Sequence, residues 1–270
     1  MSLEMMHQSA ALYSSSLQIV RVLSERWLAN QGYCPSCSRS LIAHPNNHPA
    51  ADFFCSACRL DLSKDGPFGR KVVDGAYSAM MLRIASDSAP SLFLLSYKKP
   101  SYIVTGLQVI PSHFLHKGII EPKKALSETA RRAGWQGCNI LLNALPSSAK
   151  IDIVVRGELV PRLQVQTAWA NNAFLRHTSV SERGWLSETM RCIEALRSAS
   201  FSLEDVYRFE GELSKRYPKN NNIRAKLRQQ LQKLRDMGHV RFLGNGVYEV
   251  PSASPKSADI DESFGEMSHV

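Results

Sequence analysis

Long apolar runs and a leader segment are both missing from this sequence. No uninterrupted apolar run approaches the roughly 20 residues that a helix needs to cross a bilayer. Residues 1–30 show no cationic start followed by an apolar core and a cleavage site. These absences argue against a membrane-spanning protein and against export. We therefore expect a cytoplasmic protein that does not engage a membrane.

Acidic residues are the scarcer charge. The 270 residues include 24 Asp and Glu against 33 Lys and Arg, which gives a formal net charge of +9. A basic soluble protein is attracted to polyanions, so nucleic acid is the leading class of partner. The length allows one good core and a small second domain. We expect a monomer in solution.

Cysteine is also sparse, and four of the six cysteines lie in one short stretch. Two Cys-x-x-Cys pairs, Cys34 with Cys37 and Cys55 with Cys58, have seventeen residues between them. This spacing is typical of a four-thiolate zinc site. Disulfides would need an oxidising compartment, which the sequence does not indicate. We therefore predict a structural Zn²⁺ bound by these four cysteines.

Histidines near these motifs could in principle be metal ligands or catalytic groups. His44 and His48 lie between the two cysteine pairs, in a segment rich in turn-forming residues. Because four thiolates already complete a tetrahedron, we interpret both as surface histidines. His113 and His116 are interpreted as loop or helix-cap residues without a catalytic role.

Two short apolar segments beside the second cysteine pair carry acidic side chains. Asp52 ends the stretch Pro49-Ala50-Ala51-Asp52, and Asp61 begins the stretch Asp61-Leu62-Ser63-Lys64. This pattern resembles the active-site signature of the PD-(D/E)xK nucleases, in which carboxylates on adjacent strands hold Mg²⁺ and a lysine steadies the attacking water. The alternative is that these groups only face solvent near strand ends. The candidate catalytic residues are Asp52, Asp61 and Lys64, and the candidate magnesium-binding residues are Asp52, Asp61 and Leu62.

Helical and strand patterns lie on both sides of these motifs in the sequence. Apolar positions recur at helical spacing over residues 16–29 and 72–85. Runs of aliphatic and aromatic residues predict strands over 92–97, 103–110 and 151–155. Compact strands with flanking helices favour an α/β arrangement. The predicted fold class is therefore an α/β PD-(D/E)xK nuclease core with an inserted zinc ribbon.

The segment TARRAGWQGCNI, residues 129–140, places two arginines before a tryptophan held between glycines. A turn here would present an aromatic ring beside phosphate-binding cations. Such a ring could wedge into a base step or pack on a base methyl group. We take Arg131, Arg132 and Trp135 as candidate DNA-binding residues. The alternative is an ordinary core tryptophan with arginines on a solvated face.

From residue 181 the pattern changes to three helices followed by a hairpin signal at Asn245-Gly246. This order is typical of a winged helix domain, a helix-turn-helix variant that reads the major groove. In the third helix a stripe of Ile and Leu turns to the core, so the opposite side faces DNA. Gln229 could pair with the N6 and N7 edge of an adenine. The candidate DNA-binding residues of this helix are Arg224, Ala225, Arg228, Gln229 and Lys233.

These patterns predict four regions in the chain. We expect a loose arm over residues 1–15, because it lacks a periodic pattern. The nuclease domain with its zinc site is expected over 16–180 and the winged helix domain over 181–250. Residues 251–270 are rich in Ser, Pro and acids without periodicity, so a disordered tail is expected there.

Taken together, these residues resemble the Dam-replacing family of methyl-directed type II restriction endonucleases, which includes DpnI. The resemblance implies that both domains recognise double-stranded GATC carrying N6-methyladenine and that the nuclease cuts both strands with Mg²⁺. It also implies that Trp135 lies near the methylated adenine. The motifs that carry the resemblance over about residues 17–250 are YCPSC, PAADFFC, DGAYSAMM, TARRAGWQGCNI, FLRHTS, RGW and NNIRAKLRQQLQKLRD.

One stretch departs from the family pattern. The family has Glu-Leu-Lys on the second strand, whereas this chain has Asp61-Leu62-Ser63 with Lys64 one step later. Residues three apart on an extended strand point to opposite faces, so Lys64 points away from the metal unless a bulge turns it back or Lys71 substitutes. The alternative function is therefore a catalytically impaired reader that binds N6-methyladenine GATC DNA without cutting. A zinc-ribbon winged helix transcription factor would leave Asp52 and Asp61 without a role.

Overall fold

The computed structural model of the protein describes residues 1–6, 12–45, 51–65 and 69–251. Within these ranges no helix combines the length and the apolar character needed to cross a membrane. The predicted disordered tail lies outside the described residues except for its first residue.

The described part of the first 180 residues contains a long sheet, a small sheet and flanking helices. Short 3-10 turns connect several of these elements. In chain order the elements are α1 (Ser16–Gln31), β1 (Ile42–Ala43), β2 (Phe53–Cys55), β3 (Leu60–Asp65), β4 (Val72–Ala76), α2 (Tyr77–Ala85), β5 (Ser91–Lys98), β6 (Ile103–Ile110), β7 (Ile120–Pro122), β8 (Gly137–Ile140), β9 (Ile151–Val155), β10 (Glu158–Leu159) and α3 (Arg162–Asn171).

The long sheet has the strand order β1-β2-β3-β5-β6-β9-β10 among the described residues. Its neighbours pair antiparallel except β3 and β5, which run parallel. A parallel pair needs a crossover connection, and β4 with α2 provides it. The α/β fold predicted from the sequence is confirmed. Helix α1 and strands β5, β6 and β9 also lie where the patterns predicted them.

The prediction of one helix over 72–85 is wrong for its first half. Residues Val72–Ala76 form strand β4, and the helix begins only at Tyr77. Val72 pairs with Ile140 of β8, and the β-branched residues at the start of this segment suit such a pairing. Strands β4, β8 and β7 form a small sheet beside the long one. A long-range strand pairing therefore overrides the local helical pattern.

Both faces of the long sheet are covered by buried side chains. On one face, Phe93 and Leu95 of β5 pack in a cluster with Trp27 of α1. On the other face, Leu92 and Leu94 pack in a cluster that reaches the small sheet and the helices of the C-terminal region. This alternation follows from the two-residue repeat of a strand. The second cluster therefore joins the two predicted domains through one continuous core.

The first six residues differ from the loose arm expected over 1–15. Met5 is buried in the core, and Glu4 forms a β-bridge with Ile103. The Trp27 indole N–H donates to the Ser2 carbonyl oxygen at 2.9 Å. These contacts fix the N-terminal residues against α1 and β6. The prediction fails here because isolated apolar residues such as Met5 carry no periodic signal.

The C-terminal region forms a winged helix arrangement in which the described hairpin gains a third strand. Ser202 and Asp205 form the predicted capping box. Asn245 and Gly246 have positive φ angles of 48° and 73°, as a two-residue hairpin turn with left-handed central residues requires. The elements are α4 (Val180–Leu196), β11 (Ser200–Ser202), α5 (Leu203–Tyr207), α6 (Glu210–Arg216), α7 (Ile223–Asp236), β12 (Arg241–Gly244) and β13 (Val247–Glu249).

Helix α4 is anchored at its N-terminal half to the preceding α/β region. The buried Arg183 guanidinium forms an ion pair with Asp87, with a distance of 2.9 Å from Nη2 to Oδ2. Its Nε also donates to the Leu175 carbonyl oxygen at 2.8 Å. One residue later, Gly184 packs against the His116 ring, where a Cβ would lie 3.1 Å from Nδ1. An ion pair and a close backbone contact therefore hold α4 against the α/β region.

His113 lies in a short 3-10 turn, and His116 caps the next one, with its Nδ1 accepting the Gly118 N–H at 3.2 Å. However, both rings are buried, with Nε2 lacking a hydrogen-bond partner among the described residues. Burial lowers the pKa of each histidine to about 3. Both rings are therefore neutral in the folded protein at ordinary pH.

This burial makes stability depend on pH. Each pKa is lower in the folded than in the unfolded chain, where it is about 6.5. The unfolded chain therefore binds the proton first, and stability is lost as pH falls from about 6.5 toward the folded value, by up to about 1.4 kcal/mol per pH unit per histidine. His113→Phe should make the free energy of unfolding less dependent on pH between about pH 6 and pH 4. Urea unfolding at several pH values measures this, with the exposed His177→Phe as control; equal slopes for His113→Phe and the wild type would contradict it.

Candidate functional site

Four cysteine sulfurs meet at one point beside the long sheet. All four Sγ atoms lie within 4.8 Å of one another, and Cys37 Sγ is 3.6 Å from Cys55 Sγ. Sulfurs bound at about 2.3 Å to a tetrahedral zinc ion stand a little under 4 Å apart, roughly the spacing seen here. Burial raises the pKa of the Cys34 thiol, so a cation is needed to stabilise its thiolate. The cluster, formed by Cys34, Cys37, Cys55 and Cys58, therefore fits a structural Zn²⁺.

Both cysteine pairs form the same kind of turn. The Ser38 N–H donates to the Cys34 carbonyl oxygen, and the Arg59 N–H donates to the Cys55 carbonyl oxygen, each at 2.8 Å. Ser38 and Arg59 have positive φ angles of 59° and 51°. The second turn connects β2 to β3. The zinc clip, meaning the four cysteines and their two turns, therefore closes one end of the β2–β3 hairpin.

This hairpin brings the two candidate carboxylates to one face. Phe53 pairs with Leu62, so Asp52 stands beside Ser63. Asp52 Oδ2 accepts the Ser63 hydroxyl at 3.0 Å and the Lys64 backbone N–H at 2.6 Å. Asp61 lies two residues before Ser63 on the same strand and therefore on the same face. Its side chain is 53% exposed.

The side chain of Lys64 does not share this face. Strand β3 pairs with β2 and β5 without a register shift, so no bulge turns the lysine back. Because side chains alternate along a strand, the Lys64 side chain lies on the same side as Leu62, toward the core that contains α1. Lys71 donates to Glu121 Oε2 at 2.9 Å. The structure thus brings Asp52 and Asp61 to one face, with Ser63 in the place of the expected lysine.

The carboxylate oxygens described at this face are ligands of the type that Mg²⁺ prefers. Mg²⁺ is usually held by one or two carboxylates, with water and substrate phosphate completing its shell. The second oxygen of Asp52 and of Asp61 has no hydrogen-bond partner among the described residues. The Leu62 side chain is fully buried, so only its backbone oxygen could contribute. That oxygen already accepts the Asp52 N–H at 3.0 Å.

The expectation that His44 is a surface histidine is wrong. Its side chain is only 14% exposed, and its ring packs on Phe54 with 4.7 Å between the ring centroids. Its Nε2 lies 3.1 Å from Asp61 Oδ1. No pattern in the sequence indicates this contact, because it depends on how the chain before β2 folds back. His48 lies outside the described residues.

The loop before β8 presents Trp135 and two arginines. The indole is half-buried and packs over Gly137, where a Cβ would lie 2.9 Å from the ring. The Arg132 guanidinium carbon lies 5.0 Å from the ring centroid. Arg131 and Arg132 are exposed, and neither has an acidic partner in the described part of the chain. Trp135 is therefore not a core residue. Its ring lies at the surface, where Gly137 and Arg132 restrict its position.

Helix α7 exposes most of the residues expected to face DNA. Ala225, Arg228 and Gln229 are exposed, while the Ile and Leu stripe is buried. Arg224 forms an ion pair with Glu210 at 2.7 Å. Gln229 Oε1 accepts from Lys226 Nζ at 2.8 Å. The exposed face is therefore available, with part of its charge already paired.

Lys233 differs from the prediction of a phosphate-binding side chain. Its ammonium group forms an ion pair with Glu182 of α4, and both side chains are about one third exposed or less. Arg228, by contrast, has no ion-pair partner among the described residues. The cation best placed to meet phosphate from this helix is therefore Arg228.

The fold and the sites define a nuclease-type α/β domain with a cysteine clip, joined to a helix-turn-helix domain. The sequence model of DpnI, the Dam-replacing family, matches residues 1–178. The model of the Dam-replacing HTH domain matches residues 181–250. These matches span most of the chain, so the protein belongs to the Dam-replacing family, and DNA binding follows from both parts. Membership also implies a type II restriction endonuclease.

We predict that zinc bound at the clip stabilises the fold. Removal of Zn²⁺ by a chelator, or Cys34→Ser, should lower the unfolding temperature of the nuclease domain, because the clip closes the β2–β3 hairpin and metal binding contributes directly to folding. Metal content by atomic absorption should be about one zinc per chain in the wild type. Cys192→Ser, a buried cysteine remote from the clip in sequence, is the control for zinc content. A wild-type protein without zinc would contradict the prediction.

Helix α7 generates a prediction about DNA binding. Arg228→Ala should weaken binding to all sequences and reduce the salt slope by about one, since it removes one phosphate contact. Gln229→Ala should instead reduce discrimination between target and non-target sites by about 1–3 kcal/mol. Lys233→Ala should have the smaller effect on the salt slope, because Glu182 already pairs with this lysine. Titrations at several salt concentrations measure all three; identical effects would refute this orientation of α7.

Proposed function

We propose that this protein is a methylation-dependent type II restriction endonuclease that recognises double-stranded Gm6ATC and hydrolyses its phosphodiester bonds with Mg²⁺. The observation that carries the proposal is the β2–β3 hairpin, which brings Asp52 and Asp61 to one face at the edge of the zinc clip. Membership of the Dam-replacing family supports it.

In the proposed mechanism, two carboxylates of the hairpin would hold the metal ion. Asp52 is held in place because one of its oxygens accepts two hydrogen bonds, and its other oxygen would hold Mg²⁺. Asp61 supplies a second, more exposed carboxylate. When bound, Mg²⁺ supplies Lewis-acid chemistry, polarising the phosphate and lowering the pKa of water. No covalent link between protein and DNA is needed.

The DNA-binding groups lie on both domains. On the nuclease domain, Trp135 offers an aromatic surface for the N6-methyl group of adenine, with Arg131 and Arg132 toward phosphate. On the winged helix domain, the exposed face of α7 is of a size to enter the major groove, with Gln229 directed to an adenine edge. We propose that both surfaces engage methylated GATC.

A second candidate function rests on Ser63. This residue occupies the strand position that faces Asp52, where a lysine would be expected to assist the attacking water. A serine hydroxyl carries no positive charge, so it stabilises the attacking hydroxide less well. The second candidate is therefore a reader that binds N6-methyladenine GATC DNA without cutting it.

A plasmid digest separates the two functions. The same plasmid is prepared with and without Dam methylation and incubated with purified protein and Mg²⁺, and a gel shift of one site is run in Ca²⁺. Cleavage confined to methylated DNA and abolished by Asp52→Ala would support the endonuclease. Methyl-specific binding without cleavage would support the reader. Binding without regard to methylation would contradict both.

The variant Ser63→Lys tests whether the absence of a lysine at this position limits the cleavage rate. If the missing charge limits catalysis, Ser63→Lys should increase the cleavage rate at unchanged DNA affinity. Lys64→Ala is the matched control, because Lys64 points to the opposite face and its removal should leave cleavage close to wild type. A loss of cleavage in Lys64→Ala would show that this lysine reaches the site after all.

A further inference from the structure

His44 contacts both acidic residues of the candidate active site. Its backbone N–H donates to the Asp52 carbonyl oxygen at 2.8 Å. Its ring nitrogen Nε2 lies 3.1 Å from Asp61 Oδ1. A carboxylate can only accept, so Nε2 carries the proton and donates to Asp61. His44 therefore contacts the backbone of Asp52 and the carboxylate of Asp61.

The ring is held by burial and by packing on one neighbouring ring. Its side chain is 14% exposed, whereas that of Asp61 is 53% exposed. The ring packs on Phe54, which pairs with Asp61 across the hairpin. The donor is therefore held still while the acceptor faces solvent. This is the arrangement of a group that orients its neighbour.

Asp61 has a particular need for such a group. Asp52 is oriented by the Ser63 hydroxyl and the Lys64 N–H, whereas among the described residues the Asp61 side chain is hydrogen-bonded to His44. An exposed carboxylate without this contact would rotate about its side-chain bonds and lose that freedom when a cation binds. A hydrogen bond to one oxygen leaves the other directed outward.

We propose that His44 is a positioning residue that orients Asp61 for a divalent cation. The inference rests on the proposed function, because it takes Asp52 and Asp61 as the cation-binding pair. Partners that orient metal-binding side chains typically change metal affinity about 10-fold to 100-fold when removed.

The test measures binding of Mn²⁺, which prefers the same oxygen ligands as Mg²⁺, by electron paramagnetic resonance on the full chain without DNA. Asp52→Ala defines which bound Mn²⁺ belongs to the site. His44→Ala should weaken that Mn²⁺ binding about 10-fold. His44→Gln, whose amide reaches the place of Nε2, should restore most of it, while the shorter His44→Asn should not. The exposed His177→Ala is the control for loss of a histidine.

Zinc content and the unfolding temperature are measured for each variant, so that a disturbed clip is recognised. Weaker Mn²⁺ binding in His44→Ala and His44→Asn, with recovery in His44→Gln, supports the inference. Equal Mn²⁺ affinity in wild type and His44→Ala overturns it while leaving the proposed function intact. A wild-type protein that binds no Mn²⁺ lost in Asp52→Ala overturns the cation site itself and the inference with it.

Discussion

The antiparallel pairing of β2 with β3 is the constraint on which the candidate active site depends. This register places Asp52 beside Ser63 and Asp61 beside Phe54. Because side chains alternate along a strand, a shift by one residue would turn Asp61 into the core and Leu62 into solvent. The zinc clip closes the hairpin only a few residues away, at Cys55, and so opposes such a shift. The cysteine cluster and the carboxylate geometry are therefore parts of one local structure.

Contacts of α4 with the α/β region hold the candidate DNA-binding surfaces in fixed positions relative to each other. A continuous core, the Arg183–Asp87 ion pair and the contact of Gly184 with His116 connect α4 to the nuclease domain. Burial of an Arg side chain carries a desolvation cost that hydrogen bonds offset, and here Asp87 and backbone carbonyl oxygens accept from its donors. The Trp135 loop and α7 are thus held on one framework rather than on a free linker.

Charge is distributed unevenly over these surfaces. On α7, Arg224 and Lys233 are already paired with acids, whereas Arg131 and Arg132 beside Trp135 have no acidic partner among the described residues. The acids that pair with Arg224 and Lys233 compete with phosphate for these two cations.

The sequence by itself determined the features that depend on spacing and periodicity: the cysteine clip, the α/β class, the apolar stripe of α7 and the hairpin turn at Asn245-Gly246. These signals are local, because a zinc knuckle, an amphipathic helix and a left-handed turn are each specified by a few neighbouring residues. Only the tertiary structure decided that Val72–Ala76 is a strand, that Met5 is buried and that His44 meets Asp61. Each of these depends on a contact between residues far apart in the chain, whose free energy no local pattern encodes.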